Sequence, residues 1–185
     1  MMNHDLKRIQ CIDKLYHGTD QLFDEFDLSK AKPFKDFGKG IYFTSDFNQA
    51  QKWAQKKGDR KSTAYIYCYA VDNHKVNDFK ILELLQYDRE WLEFICKSRI
   101  EGKETDYDII YDRIADNQYS EISDSLQKYA QNGISAEEVI EKIRWDNPKA
   151  DQYCFKNRNA LSILGEKELI VQHKDLDGRW LQERC

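Results

Sequence analysis

Two short stretches hold the residues best suited to chemistry. The first is KLYHGTD, residues 14–20, where Leu15 and Tyr16 run into His17, Gly18 and Thr19. The chain has only four histidines, and an imidazole at a strand end either caps the turn or offers a ring nitrogen to a ligand. The glycine beside it lets a ligand or another backbone come close to the main chain. The second stretch is DFGKGIYFTSDFNQAQKWA, residues 36–54. Gly38 and Gly40 flank Lys39 and permit a tight bend or a close approach. Tyr42 stands between Ile41 and Phe43 on a short strand, so it faces the side opposite both. With Ile41 and Phe43 on the core, Tyr42 faces a surface or a cleft; the plain alternative is an edge strand with a packed tyrosine.

Other chemistry-bearing residues point to little else. His4, His74 and His173 have no metal-ligand partners at useful spacing and read as surface residues, so no metal site is expected. The cysteines at 11, 68, 96, 154 and 185 are odd in number and form no C-x-x-C pair, which argues against a disulfide framework or a structural zinc. Cys68 and Cys154 lie in apolar runs and read as buried thiols. Lys39 could approach a phosphate, but no P-loop pattern surrounds it. Asp112, Arg113 and Asp116 form a charged cluster after a strand, suited equally to ligand contacts and to a solvated, salt-bridged turn.

The elements that must position these residues follow from periodicity. DKLYHGT and GIYFTS read as short strands, and STAYIYCYAVD (62–72), aromatic and β-branched, as the clearest strand. Between them Phe47, Ala50, Trp53 and Ala54 keep helical spacing, with Ser45 or Asp46 as N-cap and Gly58 as the stop. YDREWLEFICKSRI (87–100) predicts a helix with basic residues in its last turn. TDYDIIYDRIAD reads as a strand, followed by a polar helix over about 120–130. SAEEVIEKIRW opens with the capping box Ser135-x-x-Glu138. DQYCFKN and KELIVQH are the last strands, separated by the apolar turn ALSIL. This mixed order predicts an α+β fold rather than a regular βαβ alternation.

Composition bounds the function classes. At 185 residues the chain fits one well-cored domain, and its eleven Tyr, nine Phe and four Trp supply large buried areas. Apolar content is 41% and charged content 34%, well short of a disordered composition. Net charge is −4 with no segregated positive face beyond QKKGDRK (55–61), which argues against a large nucleic-acid footprint. No apolar run approaches the roughly 20 residues of a membrane span, and MMNHDLKRIQCI lacks the apolar core of a signal peptide. A soluble, cytoplasmic protein is expected, with no membrane partner.

The series YHGT, then GKGIYFTSDFNQAQKWA, then AYIYCYAVD resembles the ADP-ribosyltransferase superfamily, in its His-Tyr-Glu branch shared by poly(ADP-ribose) polymerases and diphtheria-toxin-like enzymes. That likeness covers residues 14–72. YDIIYDRIAD and QYCFKNRNALSIL also resemble a bacterial family of uncharacterised domains attached to this superfamily, extending the likeness to about residue 164. The resemblance implies two packed, split antiparallel sheets with surrounding helices over residues 13–175, flanked by an N-terminal extension (1–12) and a C-terminal tail (176–185).

The resemblance also implies NAD as substrate and mono-ADP-ribosyl transfer to a macromolecular acceptor, protein or nucleic acid. The compact form fits a bacterial toxin or effector with an antitoxin protein as partner. His17 would hydrogen-bond the adenosine ribose, Gly18 would offer its backbone to the nicotinamide amide, and Thr19 and Gly40 would flank them. Tyr42 would stack on the nicotinamide ring, with Trp53 closing the slot or merely packing in the core. Ala50 falls where many relatives carry a hydroxyl. The third catalytic position falls on Gln152, opening QYCFKN where the family has glutamate, or on Glu168, opening ELIVQ. A glutamine hydrogen-bonds a ribose hydroxyl but brings no charge to an oxocarbenium-like transition state, so a single transfer is expected rather than chain growth. The implied alternatives are an NAD glycohydrolase and a module that binds NAD or ADP-ribose without turnover.

Overall fold

The alternation in TAYIYCYAV decides the centre of the molecule. In the computed structural model, which describes residues 6–113, 119–143 and 151–184, this segment is strand β3 (Thr63–Val71). Tyr67 and Tyr69 go to one face of it, Ala64 and Ile66 to the other, and all four are buried. A strand buried on both faces needs a layer on each side.

Strand β1 (Lys14–Thr19) pairs antiparallel with β3, which pairs on its other edge with the long strand β7 (Leu164–Lys174). A last strand, β8 (Trp180–Arg184), completes the sheet in the order β1-β3-β7-β8. The second sheet has the order β2-β6-β5-β4, built from β2 (Ile41–Phe43), β4 (Ile81–Leu84), β5 (Ile109–Arg113) and β6 (Asp151–Phe155). Its pairs are antiparallel except β4 with β5.

The sheets face each other across a core that draws Leu15, Tyr67 and Tyr69 from the first and Phe43, Ile109, Tyr111, Tyr153 and Phe155 from the second. Each fully buried side chain of this size contributes about 1.5–3 kcal/mol. Ile9, from the segment expected to lie outside the domain, is 1% exposed and joins this core.

Helix α1 (Phe47–Gly58) covers the outer face of the first sheet through Ala50 and Ala54. Its N-cap is Asp46, whose carboxylate accepts from the N–H groups of Asn48 and Gln49. Helices α2 (Arg89–Arg99), α3 (Tyr119–Ala130) and α4 (Ala136–Ile143) cover the outer face of the second sheet through Trp91, Leu92, Ile95, Leu126, Val139 and Ile143. The capping box at Ser135 forms, with Glu138 Oε2 accepting from Ser135 N at 2.8 Å and Ser135 Oγ from Glu138 N at 3.2 Å. The α+β architecture read from the sequence is therefore the one observed, as two mostly antiparallel four-stranded sheets with helices around them.

Two strands carry no sequence expectation. ILEL is only four residues long and becomes β4 by a non-local parallel pairing with β5. WLQER, in the expected tail, becomes an edge strand by pairing with β7 alone.

Candidate functional site

The two sheets meet at one backbone bridge, Tyr16 with Thr44, in which each N–H donates to the other's carbonyl at 2.8 and 3.0 Å. In a strand, alternate residues direct their backbone polar groups to the same edge. Gly18 lies two residues beyond Tyr16, so its N–H and C=O point to the β2 side, past the bridge. Its other surface is packed against α1. A Cβ there would stand 2.1 Å from the Ala50 carbonyl oxygen and 3.0 Å from Ala54 N. Only glycine lets the helix sit this close to the strand.

His17 spans the same gap by its side chain. Its Nδ1 lies 2.7 Å from the carbonyl oxygen of Tyr42, and since a carbonyl only accepts, Nδ1 carries the proton. In the neutral ring Nε2 is then an acceptor. Burial lowers the His17 pKa from 6.5 to about 4, opposed by the bond to Tyr42 and aided by the nearby Lys57 charge. The rings of Phe26, Phe43 and Phe23 surround the imidazole, with centroids at 5.4, 5.7 and 6.0 Å. Phe23 is pinned in turn: Tyr67 Oη accepts from its N–H at 2.7 Å, and their rings stack at 4.2 Å. Thr19, 5% exposed, accepts from Gln21 N at 3.2 Å and so holds the turn that follows.

The flank of α1 supplies an aromatic surface and positive charge. Trp53 is 48% exposed, so it does not belong to the core stripe of the helix. Lys57, one turn on, places Nζ 5.2 Å from the Trp53 ring centroid and 3.5 Å from the carbonyl oxygen of Gly18. Desolvation holds its pKa below the ordinary lysine value, as do the charges of Lys35 and Lys32, while Asp20 acts the other way. Lys57 carried no sequence expectation; its signal was the i,i+4 spacing from Trp53.

Tyr42 faces the helical layer, opposite to Ile41 and Phe43 as its position on the strand requires. Its hydroxyl donates to Gly38 O at 2.8 Å and accepts from Phe37 N at 3.1 Å. Burial raises its pKa well above the ordinary tyrosine value, so it stays protonated. Gly38 has a φ of +71°, which favours glycine, and Gly40 packs on β6 where a Cβ would meet Cys154 Sγ at 2.4 Å. Both glycines thus have structural reasons to be glycine.

Gln152 shares the Tyr42 face, one pleat repeat along β6 from Cys154, the cross-strand partner of Tyr42. Its Nε2 donates to Asp36 Oδ2 at 3.3 Å, and Asp36 Oδ1 lies 3.2 Å from Nε of the buried Arg99. Opposite Gln152 on β5 is Asp112, 2% exposed, with Trp91 Nε1 donating to its Oδ2 at 2.9 Å. Burial raises the Asp112 pKa well above the carboxylate range, and Asp36 adds to the effect. Asp112 is thus a buried core acid. Its neighbour Arg113 is exposed, and Asp116 lies outside the described residues.

His17, Tyr42 and Gln152 therefore lie on the neighbouring strands β1, β2 and β6, with His17 joined to Tyr42 through the Tyr42 main-chain carbonyl. The His17 ring lies on the inter-sheet side, while Tyr42 and Gln152 lie on the helical side. Glu168 is not brought to them. It sits on β7 opposite Cys68, on the outer face of the first sheet, with a 68% exposed side chain 3.5 Å from Lys14 Nζ.

Among the described residues no cluster of three or more His, Cys, Asp or Glu could hold a metal ion, and no helix is long and apolar enough to cross a membrane. No curated protein and no solved structure matches the chain. Residues 14–165 match the family described as "Protein of unknown function (DUF3990)", and the chain belongs to that family.

Proposed function

We propose that the chain is an NAD-dependent mono-ADP-ribosyltransferase. The observation that carries this reading is the strand edge beside the Tyr16–Thr44 bridge, where the Gly18 backbone groups point away from β3, next to the His17–Tyr42 backbone contact and the Trp53–Lys57 flank of α1. An amide ligand needs one acceptor and one donor at fixed spacing, which one glycine's C=O and N–H offer. In this reading Gly18 takes the carboxamide of nicotinamide, Trp53 and Tyr42 border its ring, and Lys57 faces the diphosphate. His17 accepts from a ribose hydroxyl through Nε2.

In the reaction the bond from the ribose C1′ to the nicotinamide nitrogen breaks. Its electron pair leaves with the neutralised pyridine ring, and C1′ takes on oxocarbenium character. An acceptor nucleophile then bonds to C1′ and releases a proton. Gln152 contributes a hydrogen bond but no charge to that transition state, so turnover is slow compared with an enzyme holding glutamate there.

Incubation with NAD labelled on the adenosine is the test. Label on a macromolecule supports transfer, and free ADP-ribose moves the reading to a glycohydrolase. Absence of saturable NAD binding overturns it. A second reading, an NAD-binding module without turnover, is favoured by the uncharged Gln152 and by the Phe23 and Phe26 rings packed over His17.

A further inference from the structure

We infer that Asp36 is a positioning residue that locks the side-chain amide of Gln152, committing Nε2 inward and presenting Oε1 as a hydrogen-bond acceptor for a ligand hydroxyl. The identity of that ligand, a ribose, rests on the NAD reading above; the lock itself does not. A free glutamine amide can turn either its oxygen or its NH2 toward a given partner. Beside Asp36 it cannot, because a carboxylate accepts only, and the contact from Nε2 to Oδ2 is 3.3 Å. The amide oxygen therefore points away from Asp36.

Asp36 is itself held. Its other oxygen lies 3.2 Å from Arg99 Nε, and the Arg99 side chain is 6% exposed on helix α2. The chain from Arg99 through Asp36 to Gln152 thus links a buried cation on a rigid helix to the strand that carries Gln152. Under the NAD reading, the role of glutamate in fixing a ribose hydroxyl is kept, with the oxygen supplied by an oriented amide.

This arrangement makes a specific statement about Gln152→Glu, the change that would recreate a carboxylate there. Its carboxylate would stand against that of Asp36; among the described residues the other charged groups near that face are Asp112 across the strand pair, Arg99 behind Asp36, and the Lys156–Glu104 pair just past the end of β6. Tyr42 and Cys154 share that face as protonated groups. Two carboxyl groups at such separation do not both ionise readily.

The first experiment needs no NAD. The Gln152 side-chain amide protons, assigned in NMR spectra by their loss in Gln152→Ala, are expected to be protected from solvent exchange, with protection lost in Asp36→Asn. Equal protection in the two proteins overturns the lock. Should Asp36→Asn fail to fold, Gln152→Glu decides: its carboxyl is expected to titrate above the ordinary glutamate value, and an ordinary titration overturns the proposal.

The second experiment reads the NAD site. Asp36→Asn is expected to lower kcat by roughly ten- to a hundredfold with NAD affinity unchanged. Gln152→Glu is expected to be more active combined with Asp36→Asn than alone. Equal activity in both backgrounds overturns the positioning role. A wild-type protein that binds no NAD fails the ligand reading, and the exchange data still decide the lock.

Discussion

Replacing His17 with asparagine isolates the proton held off the imidazole. Asparagine can still donate to the Tyr42 carbonyl, now 2.7 Å from Nδ1, but it does not titrate. In the folded protein His17 has its pKa lowered from 6.5 to about 4. Between those values the unfolded chain holds more protons than the folded one, so stability falls as pH drops below about 6.5 and the loss is complete below about 4. At roughly 1.4 kcal/mol per pH unit, the loss is about 1 kcal/mol at pH 6, about 2 at pH 5 and about 3 at pH 4. His17 is half-buried as a residue, which makes these upper limits. Urea unfolding of both proteins at pH 7, 6, 5 and 4 measures the difference directly, because all other titrating groups are common to the pair. His17→Asn is expected to be flatter over this range, and the His17 ring signals in wild type are expected to stay neutral down to about pH 5. Equal pH slopes, or a His17 that titrates near 6.5, would refute the desolvated, Nδ1-protonated imidazole and the acceptor role of Nε2.

Three further changes probe other parts of the site. Gly18→Ala drives a Cβ to 2.1 Å from the Ala50 carbonyl, so α1 must shift; a stability loss of about 1–3 kcal/mol or more is expected in denaturant unfolding, and none would contradict the packing of α1 on β1. Trp53→Ala removes a ring that is 48% exposed, so the melting temperature should hardly move while NAD affinity falls roughly five- to a hundredfold by calorimetry. Asp112→Asn keeps an acceptor for Trp91 Nε1 and removes a carboxyl whose ionised form the fold disfavours. Because a raised carboxyl pKa lowers stability as pH climbs above the unfolded value, this variant should be more stable than wild type at pH 7 and gain less at pH 4, as thermal melts at both values would show.

How much of this was legible in the sequence follows from how each contact is made. Helices α1 and α2 and strand β3 carry their periodicity and caps within the segment, so local pattern finds them. β4 and β8 exist by pairing with β5 and β7, and nothing local marks ILEL or WLQER as strand. The same divide runs through the site. His17, Gly18 and Tyr42 are marked by residue type and order, whereas the need for glycine at 18 lies in the approach of Ala50, on a helix well along the chain. Lys57 was hidden in QKKGDRK, which reads as a solvated basic cluster until the Trp53 ring and the Gly18 carbonyl are placed beside it. Asp36 gave no signal, since its partners Arg99 and Gln152 are remote in the chain.

The geometry of the gap depends on a residue with no part in the chemistry. β2 is only three residues long; it pairs with β6, and just past its end Thr44 meets β1 at the bridge, a join that a side chain anchors further. That side chain is Asp151: Oδ1 accepts from Thr44 Oγ1 at 3.0 Å and Ser45 N at 2.8 Å, and Oδ2 from Ser45 Oγ at 2.7 Å. Thr44 is the bridge residue itself, and its Oγ1 also lies 2.7 Å from Gln49 Oε1 in the first turn of α1. One carboxylate therefore ties the end of β2, the start of α1 and the start of β6 together. With that end fixed and His17 reaching across to Tyr42 O, the spacing between Gly18, Tyr42 and Gln152 is set by backbone and polar contacts on both sides of the gap. The site is in this sense a consequence of how two sheets are joined at their edge, and its side chains occupy positions that the join has already fixed.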